Sequence, residues 1–252
     1  MQPNADDVLA QLLNIAGAML ACGAEINRVE DTLTRLGMAY GAAQMHVFVI
    51  TSSVVITMVL PDGSHYTQTR RIHTPGGTDF TQLEALNALS RRCCAAPMPI
   101  TALAAEVARI QMRRPGRCYR YFGSVLAAGA FTLFFGGTVL DMAAAILFAL
   151  LICLLQGHLM PLCSNQMVFN LLCSLIVGAG IVLAARLLPA LQPDQVMIGD
   201  IMLLIPGIAM TNAVRDILVG ETISGIMRLI ESLLWAGALA AGFMVAIWLI
   251  GG

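Results

Sequence analysis

Lysine is absent from this 252-residue chain, and all fourteen basic residues are arginine. That absence carries no functional reading. Charge of either sign is scarce. Charged residues make up 12% against 58% hydrophobic, which excludes an ordinary soluble protein over the whole length. The formal net charge of −1 offers no basic surplus for a nucleic-acid partner. Cysteine is not rare, but the count of 7 is odd and no CxxC occurs, so neither a disulfide framework nor a zinc site is indicated. The opening MQPNADD is acidic and has no apolar run behind a basic region. It does not read as a secretory leader, and the first domain is expected in the cytoplasm.

The charge that is present falls mostly in residues 1–118, which read as a small α+β cytoplasmic domain. Val8, Leu9, Leu12, Leu13, Ala16, Met19 and Leu20 recur at helical spacing, and Gly23 is placed to end that helix. Ile26, Val29, Leu33 and Leu36 give a second helix, stopped at Gly41. Then the period changes. Met45–Thr51 and Val54–Leu60 are rich in Val, Ile and Thr, which favours strands, and Pro61-Asp62-Gly63 signals a turn. Ser64–Thr74 reads as a third strand, polar on both faces and so expected at an edge. After the Thr74–Gly77 loop, Asp79 with Gln82 marks a helix start, and Pro97 and Pro99 separate that helix from a last one. The expected order is ααβββαα. Glu25, Arg28, Glu30 and Asp31 form its densest charge cluster. Glu25, Arg28 and Glu30 read either as a solvated helix face or as a regulatory or docking site. His46, His65 and His73 match no metal-ligand spacing, so no metal and no other cofactor is expected.

Residues 119–252 read as a membrane domain. Arg113, Arg114, Arg117 and Arg120 lie just before its first long apolar segment and mark a cytoplasmic side. Five transmembrane helices are expected, near Tyr119–Phe135, Val139–Leu155, Met167–Leu188, Ile198–Val219 and Leu229–Ile250. Each approaches the roughly 20 residues that cross a hydrocarbon core. An inside N-terminus then places the C-terminus outside. Gly237 with Ala241, Ala238 with Gly242 and Gly180 with Ala184 are spaced for close helix contact.

The fourth segment departs from an ordinary span. Pro206-Gly207 interrupts the apolar run, and Thr211, Asn212, Arg215 and Asp216 follow where lipid-facing residues belong. Broken, polar segments of this sort are where transporters bind substrate. Arg215 has no acid three or four residues away, so its counter-charge must come from another helix, a lipid head group or a bound anion. It reads either as a cytoplasmic anchor or as a substrate-carboxylate contact, with Thr211, Asn212, Pro206 and Gly207 beside it. Asp216, Asp200, Asp141 and Glu231 are the candidates for proton coupling.

LIPGIAMTNAVRDILVGETISGIMRLIE resembles the membrane signature of the threonine/serine exporter family. GAEINRVEDTL, VFVITSSVVITM and LEALNALSRR resemble that family's soluble N-terminal domain, in the same order. Thr is usual after GAE and Ile26 stands here, which argues against polar-substrate binding at that position. The family has a fused form and a split, two-chain form, and this chain is similar to the larger, YjjP-type subunit of the latter. The resemblance implies a bacterial inner-membrane secondary exporter of small carboxylate metabolites, threonine and serine or C4-dicarboxylates such as succinate. It also implies a second, short all-membrane subunit of YjjB type. Five spans fit that plan, since a second five-span half would sit inverted. The rival readings are a membrane-anchored enzyme, using Cys22 beside Glu25 or using His46 in a hydrolase-like soluble domain, and a sensor or scaffold. No nucleophile–base motif supports the first, and mere anchoring needs no broken polar span.

Overall fold

The computed structural model describes residues 4–72, 78–113 and 116–251. The chain divides into two compact units. The first takes Met1–Arg114 together with Ala209–Leu229, and the second takes Pro115–Ile208 together with Ile230–Gly252.

In the first unit, α1 (Ala5–Ala21) and α2 (Ile26–Ala39) lead into β1 (Gln44–Ile50), β2 (Ser53–Val59) and β3 (His65–Arg71). α3 (Phe80–Ala95) and α4 (Ile100–Met112) follow. The expected ααβββαα order is present over these residues. The strands form one antiparallel sheet in the order β1-β2-β3, with Val49 opposite Val54 and Val54 opposite Arg70. α1 is apolar on most of its circumference and is buried accordingly; Leu9, Leu12, Leu13 and Met19 meet α2's Leu33 and Leu36 and the sheet's Ile56 and Met58 in one core. β3 is an edge strand, and its polar character has a local reason. Gln68 donates to the backbone and carboxylate oxygens of Asp6, and Arg70 donates to Asn14, both on α1. The turn after β2 is held by Asp62 accepting from the Ser64 N–H at 2.9 Å, with Gly63 at φ +84°. Asp79 caps α3 by accepting from the Gln82 N–H at 2.9 Å. The loop expected at Thr74–Gly77, and with it His73, lies outside the described residues, as does Arg114.

The second unit holds α5 (Arg117–Phe134), α6 (Val139–His158), α7 (Gln166–Leu187) and α8 (Pro193–Ile201), together with the main length of α10 (Thr222–Gly251). Close helix contact does rest on small residues here. A Cβ on Gly242 would lie 2.5 Å from the Leu171 carbonyl oxygen, and one on Gly180 would lie 2.8 Å from the Phe148 ring. Gly237 has no such neighbour among the described residues.

Among the described residues, three helices are long and apolar enough to cross a membrane: Val139–Leu162, Gln166–Leu187 and Thr222–Ile250. The expectation of five such helices differs from this at two places. α5 opens on Arg117 and Arg120, which spend part of its 18 residues on charge. The expected fourth span is two short helices, α8 of 9 residues and α9 (Gly207–Leu218) of 12. Pro206 lies at the break, where a residue lacking an N–H cannot continue the helix. The last helix begins before the expected Leu229, at Thr222, and runs for 30 residues.

Candidate functional site

Within the first unit, the short link between α1 and α2 is read residue by residue by α9 and the start of α10. Gly23 ends α1 at φ +84°, and Glu25 sits extended at the N-cap of α2 without capping it. A helix start leaves N–H groups in need of acceptors. The acceptor comes from far along the chain: Asp216 on α9 takes the Ile26 N–H. Arg228 on α10 bonds Asp216 at 3.2 Å and, through its other terminal nitrogen, the Ala24 carbonyl at 3.1 Å. The Asn212 amide donates to the Gly23 carbonyl at 3.2 Å. Glu25, released from capping, accepts from Arg215 at 2.8 Å. Four consecutive residues, Gly23 to Ile26, thus each meet a polar group of α9 or α10.

The corner between α9 and α10 sets this geometry. Gly220 turns the chain at φ +99°, and the Glu221 N–H bonds the Asp216 carbonyl at 2.8 Å. A Cβ on Gly225 would lie 2.8 Å from the Ala213 carbonyl oxygen and 2.9 Å from the Ile217 nitrogen, so only glycine lets the helices approach this closely. Arg228 follows one turn later and reaches back to Asp216.

The two ion pairs differ in kind. Asp216 is 1% exposed and Arg228 15%, so this pair is buried, and removing either partner strands a charge at a cost of about 3–5 kcal/mol. Arg215 is 63% exposed and Glu25 23%. A pair this open is worth only about 0.2–1 kcal/mol. Arg215 and Asp216 are neighbours in sequence, and helical rotation sends one outward and the other inward.

The remaining sequence candidates are distributed as follows. Glu30 is half-buried and accepts from the Val49 N–H at 2.9 Å, pinning α2 to β1; burial raises its pKa above 4.5, with the Val49 bond opposing and the Glu221 charge adding to the rise. Arg28 is exposed and lines a groove of about 420 Å³ with Arg35 and Arg91. Thr211 is exposed one turn before Arg215 on α9, whose first residue is Gly207. In the second unit, Asp141 is buried and closes a capping box with Thr138 while accepting from the Gln192 N–H at 2.7 Å. Asp200 is buried, and Glu231 is exposed on α10. The Cys22 thiol is pushed up to about 11 by burial first and by the Asp79 charge second, the opposite of an activated nucleophile. His46 and His65 lie on β1 and β3, and among the described residues no three His, Cys, Asp or Glu are grouped for a metal ion.

Arg228 is not among the residues that the sequence singles out. Its pairing with Asp216 spans twelve positions and a turn, so helical spacing does not reveal it. The available signal was the Gly220-Glu221 break between them, which allows two helices to face each other. No curated protein and no solved structure matches the chain. A family model described as "Putative threonine/serine exporter" matches residues 11–250, and so takes in both the α1–α2 link and the α9–α10 corner. With helices fit to cross a membrane and a match over nearly its whole length, this chain belongs to the threonine/serine exporter family.

Proposed function

We propose that the chain is the larger subunit of a two-chain secondary exporter in a bacterial inner membrane. It moves small carboxylate metabolites: threonine and serine, or C4-dicarboxylates such as succinate. The partner is a short all-membrane chain. Five crossings serve this chain, with α5 as the first and the broken α8–α9 pair as the fourth. The N-terminal domain then lies in the cytoplasm and the C-terminus in the periplasm.

The observation that carries this reading is the open Arg215–Glu25 pair. Arg215 donates to Glu25 through one terminal nitrogen at 2.8 Å, and a guanidinium has five N–H donors in all. A pair this exposed is weak enough to exchange. A substrate carboxylate takes the place of Glu25 on Arg215, using two parallel hydrogen bonds that lysine cannot reproduce. Thr211, one turn earlier on the same face, and Asn212 meet the substrate's polar groups. Pro206 and Gly207 leave the helix interrupted so that backbone groups line the path. The proton-coupling carboxyl is one of Asp216, Asp200, Asp141 and Glu231.

The test is transport in proteoliposomes containing this chain and its partner, with labelled threonine, serine and succinate. Arg215→Lys is expected to insert normally. It should raise the half-saturating substrate concentration about 10- to 100-fold, the worth of one charge-assisted contact. Unchanged affinity in Arg215→Lys reduces Arg215 to a cytoplasmic anchor and moves the binding site elsewhere.

A further inference from the structure

The four candidate carboxyls are not equivalent. Asp141 accepts from the Thr138 N–H and hydroxyl, both at 2.7 Å, and from the Gln192 N–H at 2.7 Å. Asp216 is answered by Arg228 at 3.2 Å. Glu231 is exposed. Asp200 alone is 0% exposed with neither carboxylate oxygen hydrogen-bonded among the described residues. An ionised carboxylate in that position, away from water and without donors, costs several kcal/mol, and such groups neutralise instead.

Among the described residues, the helices packed on α8 give the Asp200 carboxylate no hydrogen bond. α5 lies against the neighbouring Gly199, where an added Cβ would stand 2.8 Å from the Ala128 carbonyl oxygen. The Thr132 hydroxyl at that contact donates to the same carbonyl at 2.9 Å. From α7 comes the buried Cys173 thiol, with Cys163 near it. The acid of α6, Asp141, is bonded at the opposite end of α8 through Gln192. Arg186 and Asp194 line a separate cavity beside the first turns of α8. Among the described residues no Arg or His forms an ion pair with Asp200. The carboxyl is fully covered in this structure.

We propose that Asp200 carries the coupling proton of the exporter. In the packed state its carboxyl holds the proton. When the packing of α8 on α5 and α7 loosens and water enters, the O–H bond breaks, the proton passes to solution and the carboxylate remains. Reprotonation from the other side of the membrane closes the cycle, with no electron transfer. This role rests on the export reading given above.

The experiment has two arms on the two-chain exporter in proteoliposomes. Infrared difference spectra of wild type against Asp200→Asn at neutral pH are expected to contain a protonated-carboxyl stretch that the variant loses. Its absence from wild type overturns the proposal. In the second arm, exchange of labelled for unlabelled threonine, serine or succinate is compared with net flux driven by a pH gradient. Asp200→Asn is near-isosteric and permanently neutral, so it is expected to keep exchange and to lose gradient-driven flux. Retained gradient-driven flux overturns the proposal. So does wild-type flux that follows a sodium gradient and ignores pH. Should the variant fail to assemble, the wild-type spectrum and the wild-type choice between proton and sodium gradients still decide. Wild type that exchanges none of the three substrates overturns the export reading, and the coupling role falls with it.

Discussion

Both units of this chain bury an apolar core, and they differ in the polar groups buried beside it and in what they turn outward. The first builds its core from Leu9, Leu12, Met19, Leu33, Leu36, Ile56 and Met58, and it also buries Asp216 against Arg228. The second encloses Thr132, Asp141, Asn170, Ser174 and Asp200, and turns Phe122, Leu126, Leu147, Met244 and Trp248 outward. In water, apolar surface is driven inside. In lipid that force is absent, so outward leucines cost nothing and buried polar groups must be satisfied by one another. The units also treat buried carboxylates differently. The first sets Arg228 on Asp216, whereas the second gives Asp141 only N–H and O–H donors and leaves Asp200 without any among the described residues.

Removing a partner from the first unit's buried pair is the strongest way to test that contrast. Asp216→Ala strands the Arg228 guanidinium beside the α1–α2 link and is expected to lower stability by about 3–5 kcal/mol. Glu25→Ala, which opens the exposed pair, should cost only about 0.2–1 kcal/mol. Thermal unfolding in detergent checks both, and equal losses would erase the distinction between the pairs.

A smaller effect sharpens the packing side of the comparison. Gly242→Ala drives a Cβ into the Ser174 hydroxyl and the Leu171 carbonyl, and overpacking of this kind costs about 1–3 kcal/mol. Gly237→Ala meets no neighbouring atom among the described residues and should be neutral or stabilising by up to about 1 kcal/mol. The same unfolding measurement separates the two. A neutral Gly242→Ala would mean that α7 and α10 do not cross this closely.

The smallest effect concerns pH. Burial raises the Glu30 pKa above 4.5, so the folded chain holds that proton more tightly than the unfolded chain does. Its contribution is therefore present at low pH and is lost as pH rises from 4.5 through the folded value. Glu30→Gln should flatten that part of the dependence of the unfolding midpoint on pH. An unchanged slope would show that Glu30 titrates normally.

Much of the first unit was legible because its signals are local. The apolar spacing of α1 and α2, the Asp79–Gln82 cap and the Asp62-Gly63 turn each depend on neighbours within a few residues. Pro206 as a breaker was equally legible, since it acts through its own missing N–H. The consequence was less so. The sequence marks the interruption of the fourth segment at Pro206, but it does not show that α8 stops at Ile201 and α9 starts at Gly207, because an apolar run does not reveal where its helix stops.

By itself the sequence determined the helices and strands of the first unit and the break before Gly207, because each follows from backbone chemistry or local periodicity. It marked the Glu25–Asp31 charge cluster and the polar stretch after Pro206, about 190 positions apart, without any sign that they meet. Only the tertiary structure decided that Asp216 takes the first N–H of α2, that Arg228 answers it and that Arg215 finds Glu25. The physical reason is that periodicity specifies which face of a helix is buried, while its partner depends on shape and contact across the whole chain. A small-residue contact such as Gly225 against Ala213 acquires meaning only when the two helices are already side by side.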